Sequence, residues 1–464
     1  MLTRCIRTQI GIHNMPSQLL LRFANPPQPW RDCRGLASDT EDNDQIKTLM
    51  QLCSDRYYMI CDALNGDPFH LGISRPYGPL GMELRKSILD KWWTSVVISR
   101  AQVFGISTMH LTKTISATGQ NTLKLVDSTA LDRIINQKGL NRDQARDTMS
   151  KQLQDSSTLR TNLLQGALEQ YLPSLELVNR RLPFGLAETG VCYQPLEGQT
   201  DGPSCPAEVT RASLVWFCSP RTSSQWLDYW ARQRLQWWRK FALGPSSFSC
   251  SEVSDGGEGE RASRAVRILY QFPWGAEPLE TLCNLGDTEL LQTHRGSRAK
   301  LQCRDGRKYV LPHVISVCGN IDRGVLAYLH NSLQEVKKTD SKQRLYKRKV
   351  LKLHPSLAPV KVALDMGRGP TVELRQVCEG LLQELLEGGI SAWPGYLDTM
   401  HSTMEQLSTK YDEMGVLFTV LMADSTLESG LVQVRNRDTT IKETMHISQV
   451  KIFLTKYIRA SENV

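Results

Sequence analysis

The sequence predicts a mixed α/β fold in two or three domains, and three observations carry that expectation. At 464 residues the chain is longer than one hydrophobic core usually organises. Its C-terminal quarter alternates short apolar runs with one-sided helical patterns, the signature of a layered α/β domain. Earlier, helical stretches are interrupted by a segment of period-two alternation.

Taken in order, the first acidic residue is Asp32, and Arg4, Arg7, Arg22 and Arg31 precede it among apolar and hydroxyl residues. That composition predicts a mitochondrial transit peptide and leader over 1–40. Residues 44–64 and 80–97 have helical periodicity: Leu84, Ile88 and Trp92 share a face, with Pro79 at a tolerated first-turn position. Residues 103–127 alternate around "ATGQN" and predict a β-hairpin. From Ser128 to about Asn179 the pattern is helical, with Leu131, Ile134, Ile135, Leu159, Leu163, Leu164, Ala167 and Leu168 as apolar positions. Such faces outside the main body call for a partner, and a second copy of the chain is the economical one.

"QWLDYWARQRLQWWRKF" places Trp226, Trp230, Trp237 and Phe241 on one helical face and Arg232 and Arg239 away from it. This favours a core helix over a base-stacking platform. After Pro355 and Pro359, "APVKVALDM" predicts a buried strand. Leu374, Val377, Leu381, Leu382 and Leu385 then mark a helix ended by Gly388-Gly389. Strands at "ISAWPG", "GVLFTVLM" and "LVQVR", a helix to Asp412 and a last helix complete the domain.

Composition excludes several functions. No window approaches a membrane-spanning apolar run. The twelve cysteines form no Cys-x-x-Cys pair and the nine histidines no metal spacing, so neither metal nor cofactor is expected. The net charge of +8 is local. Between Lys337 and Lys352 eight bases face one acid, Asp340, leaving the rest of the chain beyond the leader slightly acidic. Lys337, Lys338, Lys342, Arg344, Lys347, Arg348, Lys349 and Lys352 are therefore the candidate nucleic-acid contacts, the alternative being a solvated linker helix. Arg435 and Arg437 could also touch nucleic acid or form a solvated face.

"YGPLGMELRKSILDKWW" (77–93) resembles the first signature motif of glycyl-tRNA synthetases. "YQFPWGAEPLETLCNLGDTELLQTH" (270–294) resembles their substrate-pocket strand, and "YVLPHVISVCGNIDRGVLAYL" (309–329) their third motif. The last 110 residues or so are similar to their anticodon-binding domain. A nearer resemblance is to the family of non-catalytic synthetase relatives that serve mitochondrial DNA polymerase gamma as accessory subunits. The resemblance implies a class II synthetase-like antiparallel core over 41–102 and 183–345. It further implies a hairpin and helical dimerisation insert over 103–182 and an anticodon-binding-like domain over 355–464.

Adenylate chemistry needs cations on the ATP phosphates and carboxylates for magnesium and the amine. Set against the synthetase motifs, Gln194 stands for the phosphate-binding arginine, Ser316 for a metal-binding glutamate, Asn320 for a glycine and Pro278 for a pocket glutamate. Glu280 and Arg323 remain, the latter a candidate partner for Asp322. No catalytic residue is expected. The implied function is a mitochondrial matrix, nucleoid-associated processivity subunit. Its expected partners are the polymerase catalytic subunit, met through the C-terminal domain, sequence-independent duplex DNA and a second copy of itself. The alternatives are a divergent mitochondrial glycyl-tRNA synthetase and a tRNA- or RNA-binding scaffold.

Overall fold

The computed structural model describes residues 4–7, 39–60, 75–112, 123–136, 141–195, 206–254, 264–296, 298–339, 345–367, 371–398 and 403–462. They fall into two units. The smaller comprises Met1–Thr48, Met109–Thr161 and Cys192–Ala207; the larger comprises Leu49–Thr108, Asn162–Val191 and Glu208–Val464.

A seven-stranded sheet dominates the larger unit. Its spatial order is Val103–Gly105, Phe184–Pro195, Pro206–Cys218, His313–Asn320, Gly275–Gly286, Arg264–Phe272 and Phe248–Ser254. The last five strands pair antiparallel, and Val103–Gly105 joins the edge in parallel. Helix Pro79–Trp93 begins with proline, whose missing N–H is spared at the first turn, and buries Leu84, Ile88 and Trp92 as their spacing predicts. Helix Ser223–Lys240 buries Leu227, Trp230, Ala231, Arg234, Trp237 and Trp238. The aromatic helix is thus core, with Trp230 and Trp238 sealed from any base. Trp238 lies against helix Ile321–Ser332 at Gly324, where an added Cβ would come within 2.6 Å of the indole.

Two expectations about the insert are corrected. The 103–127 hairpin does not form, because Leu111–Thr112 and Leu123–Val126 both pair with Ser157–Leu159, which lies between them. The outer edge of this small sheet is Arg4–Arg7, paired with Leu123–Val126. The rest of the arginine-rich leader, up to Ser38, lies outside the described residues, as does the "ATGQN" turn. Second, the helical run does not stay in one exposed insert. Leu163 is buried in the larger unit, and Ala167, Leu168, Tyr171 and Leu175 are buried there in a cluster with Phe184, Phe217 and Leu290. Their apolar faces are covered by their own chain. Helices Ser128–Asn136 and Arg142–Asp155 remain in the smaller unit, the latter with no buried residue and Ile135 of the former exposed.

The C-terminal region forms a five-stranded sheet in the order Ala392–Trp393, Val362–Met366, Phe418–Met422, Leu431–Asn436, Lys442–His446. The first three strands are parallel and the last two antiparallel. Helices Thr371–Glu387, Met404–Glu413 and Ile447–Glu462 accompany it, Leu374, Cys378, Leu381 and Leu385 facing inward from the first. Strand Lys442–His446 and the short helix Asp424–Ser429, closed by Gly430 at φ 69°, are additions that the periodicity did not reveal. The basic stretch is no linker helix: Leu333–Thr339 and Leu345–Leu351 form an antiparallel hairpin.

Candidate nucleic-acid interface and the synthetase-like pocket

The residues kept from an adenylate pocket are held by structural partners. Glu280, on the sheet strand Gly275–Gly286, is 1 % exposed. Arg234 Nε lies 3.0 Å from each of its carboxylate oxygens, and Trp238 Nε1 donates to it at 2.7 Å. Arg234, itself 2 % exposed, also lies over the Trp237 ring at 4.3 Å. A substrate amine would have to displace a buried guanidinium to reach this carboxylate.

Arg323 reaches Glu277 at 3.5 Å and donates to the Pro278 carbonyl at 2.8 Å. Asp322 is held by other groups: the Tyr77 hydroxyl at 2.8 Å, the Thr210 N–H at 2.6 Å and the Arg85 guanidinium at 3.6 Å. Burial pushes the Asp322 carboxyl above its usual range, while those donors pull it back. Burial likewise lowers the Arg323 guanidinium.

The replaced positions have local structural duties. Asn320 caps helix Ile321–Ser332 by accepting the Arg323 N–H at 2.9 Å, which a glycine could not do. Pro278 stands where the register between Gly275–Gly286 and Arg264–Phe272 shifts, a place where a missing N–H is tolerated. Ser316 pairs with Cys283 and Val215 inside the sheet. Gln194 lies near the end of strand Phe184–Pro195. Among the described residues no cluster of His, Cys, Asp or Glu could hold a metal ion.

The basic run divides by strand alternation. Arg348 is 7 % exposed and forms an ion pair with Asp412 on helix Met404–Glu413, which is itself 1 % exposed. Its Nη2 also donates to the Ser408 carbonyl at 3.3 Å. Arg348 is therefore corrected from a DNA contact to an interior cation. Lys347 and Lys349 occupy the alternate positions of the strand, with Lys337 opposite Lys347 and Glu335 opposite Lys349. Lys342 and Arg344 lie outside the described residues, and the side chains of Lys337, Lys338 and Lys347 are likewise not described. Lys352 follows the strand, its N–H donating to the Ser332 carbonyl at 2.7 Å.

Arg435 and Arg437 are corrected in the same direction. Arg435 makes a bidentate pair with Asp412, both contacts at 3.0 Å, and burial lowers its guanidinium. Arg437, 3 % exposed, donates to the carbonyls of Leu351, Gly415 and Leu353 and to Asp438. It ties the end of the hairpin to the C-terminal sheet. Neither arginine is a solvated face.

The chain is 52 % identical to DNA polymerase subunit gamma-2 of Bos taurus, across 90 % of its length and 86 % of that protein. It is 49 % identical to DNA polymerase subunit gamma-2, mitochondrial, of Xenopus laevis, across 94 % and 92 %. The chain belongs to the DNA polymerase subunit gamma-2 family. The chain also matches the anticodon binding domain family over residues 359–457. It is 27 % identical to the glycine–tRNA ligase of Thermus thermophilus, across 65 % of its length and 63 % of the ligase. Its fold is accordingly class II aminoacyl-tRNA synthetase-like, with an anticodon-binding domain at the C-terminal end.

Within this fold, Arg234 and Trp238 are the residues that sequence reasoning missed. Their signal was present in part: a charged residue flanked by tryptophans on a helix buried on that side. What the helix pattern did not supply was the acidic partner, 46 residues away on a different element. Asp412 was missed for the same reason.

Proposed function

We propose that the chain is a non-catalytic accessory subunit of the mitochondrial DNA polymerase. In this reading it binds the catalytic subunit and duplex DNA and raises processivity in the nucleoid of the mitochondrial matrix, reached through the arginine-rich leader. The observation that carries it is membership of the gamma-2 family over nine-tenths of the chain. The engagement of Glu280 by Arg234 supports the non-catalytic part. The anticodon-binding-like domain, which exposes Leu431, Ile441 and Ile452, is the proposed docking surface for the catalytic subunit. The DNA grip falls to the basic hairpin through Lys337, Lys338, Lys342, Arg344, Lys347, Lys349 and Lys352, with Arg348 reserved for the interior. Phosphate contacts of this kind are sequence-independent, as a processivity factor requires, and about 1.4 kcal/mol of extra hold lengthens residence tenfold.

The test joins two measurements. Primer extension by the catalytic subunit should give longer products per binding event when the chain is added. Titration of duplex DNA at several salt concentrations should then give a log–log slope reduced by roughly 2 in the Lys347→Ala/Lys349→Ala double variant. Unchanged product length would sink the accessory role; equal slopes would move the grip elsewhere.

Homodimerisation belongs to the same proposal, through helices Ser128–Asn136 and Arg142–Asp155 in a two-fold contact. Replacing 128–155 by a short glycine-serine linker should leave a chain that sediments as a monomer while the larger unit stays folded. The segment from Asn162 onward is kept because its leucines belong to the core. A variant that still sediments as a dimer places the two-fold contact on other residues.

A further inference from the structure

A cleft of about 720 Å3 lies in the larger unit, lined by Arg56, Arg348, Arg435 and Lys442 and by the start of helix Met404–Glu413. Four cations thus converge from four places in the chain; Glu405 is the carboxylate in the lining, and Asp412 and Glu413 pair with the three arginines, leaving Lys442 as the excess charge. Arg435 and Lys442 are direct cross-strand partners. Like charges so placed repel, and Asp412, already shared by Arg348 and Arg435, answers the arginine side only. Lys442 is exposed, and Arg56 is tied to Glu413 at 2.6 Å. An anion seated between them would relieve the repulsion.

The rest of the wall says which anion. Thr403, Ser408 and Thr440 add hydroxyl groups, Gln406 an amide and Met404 an apolar patch, while the Thr409 hydroxyl donates to the Glu405 carbonyl at 2.9 Å. Several guanidinium and ammonium donors with hydroxyl groups suit a ligand with more than two acceptor oxygens and more than one negative charge, which is phosphate rather than carboxylate. The volume exceeds that of bare phosphate and lies within the range of small-molecule sites. We propose that this cleft binds a nucleoside phosphate, either as a free nucleotide or as the phosphorylated end of a DNA strand. The site is separate from the hairpin's grip on duplex DNA, since it uses Lys442 and the interior position Arg348 rather than Lys347 and Lys349.

The experiment is calorimetric titration of the full chain with dATP, repeated in the exposed-site variants Lys442→Glu and Lys442→Arg. Melting temperatures serve as the control for folding. The expected result is dATP affinity weakened about tenfold or more in Lys442→Glu and largely restored in Lys442→Arg. Competition then separates the two sources, using pyrophosphate, free dATP and a short oligodeoxynucleotide with or without a 5′-phosphate. Preference for the 5′-phosphorylated strand over its hydroxyl form assigns a strand end; stronger competition by dATP assigns the free nucleotide. No dATP binding in the wild type, equal binding in Lys442→Glu, or displacement by an oligoglutamate peptide as readily as by pyrophosphate overturns the proposal. The last outcome would mark a seat for an acidic protein segment.

Discussion

Glu280→Ala should lower the melting temperature by about 10 °C, because breaking a buried ion pair typically costs about 3–5 kcal/mol. Removing the carboxylate leaves Arg234 with its charge at 2 % exposure and takes the acceptor from the Trp238 indole N–H. Most of that loss comes from the stranded guanidinium rather than from the bonds themselves. The Arg234→Met/Glu280→Leu double variant should therefore recover much of it, since apolar groups of similar volume can replace the pair. Thermal denaturation of the three proteins decides the matter. A shift of no more than about 2 °C for Glu280→Ala, the size of an ordinary surface change, would mean that the carboxylate has no structural duty. The pocket would then have to be reconsidered as a binding site.

The second large effect is expected at Asp412, where one carboxylate serves both Arg348 and Arg435. Asp412→Ala should destabilise the C-terminal sheet by about 3 kcal/mol or more, for it strands two buried guanidinium groups. Urea unfolding gives the total. Hydrogen exchange in Phe418–Met422 and Leu431–Asn436 localises it, as these strands adjoin the arginine that Asp412 holds. Arg348→Ala should be costly as well, whereas Lys349→Ala should change stability by no more than about 0.5 kcal/mol. Equal costs for Arg348→Ala and Lys349→Ala would contradict the division of the strand into an inner and an outer set.

Much of the fold was legible because its helices and strands carry local periodicity. Leu84, Ile88 and Trp92 mark a helix face at four-residue spacing, and the C-terminal strands appear as apolar runs between glycines and polar turns. The hairpin at 103–127 failed because its true partner, Ser157–Leu159, lies some thirty residues downstream, and alternation does not say which strand is the neighbour. The helices after Asn162 were misplaced for a related reason: an apolar face demands cover, but periodicity is silent on whether the cover comes from the same chain. The replacement of the synthetase-type residues was legible at Gln194, Ser316 and Pro278, since it rests on residue type alone. The fate of the survivors was not. Glu280, Arg323, Arg348, Arg435 and Arg437 could be assigned only once their distant partners were known. Arg348 did carry a faint signal, standing in step with Tyr346 and Val350 rather than with Lys347 and Lys349.

That step has a consequence for insertions and deletions. Strand Leu345–Leu351 is bound to Leu333–Thr339 residue by residue, so its inward and outward sets are a matter of phase. Losing or gaining one residue within the strand before Arg348 would bring a lysine position to Asp412 and turn the arginine position outward, with net charge nearly unchanged. An ammonium cannot reproduce a guanidinium fork, so Asp412 would be poorly matched. Variation in the length of this strand should therefore do more harm than neutralising any one of its lysines, and two-residue changes should be tolerated better than one-residue changes.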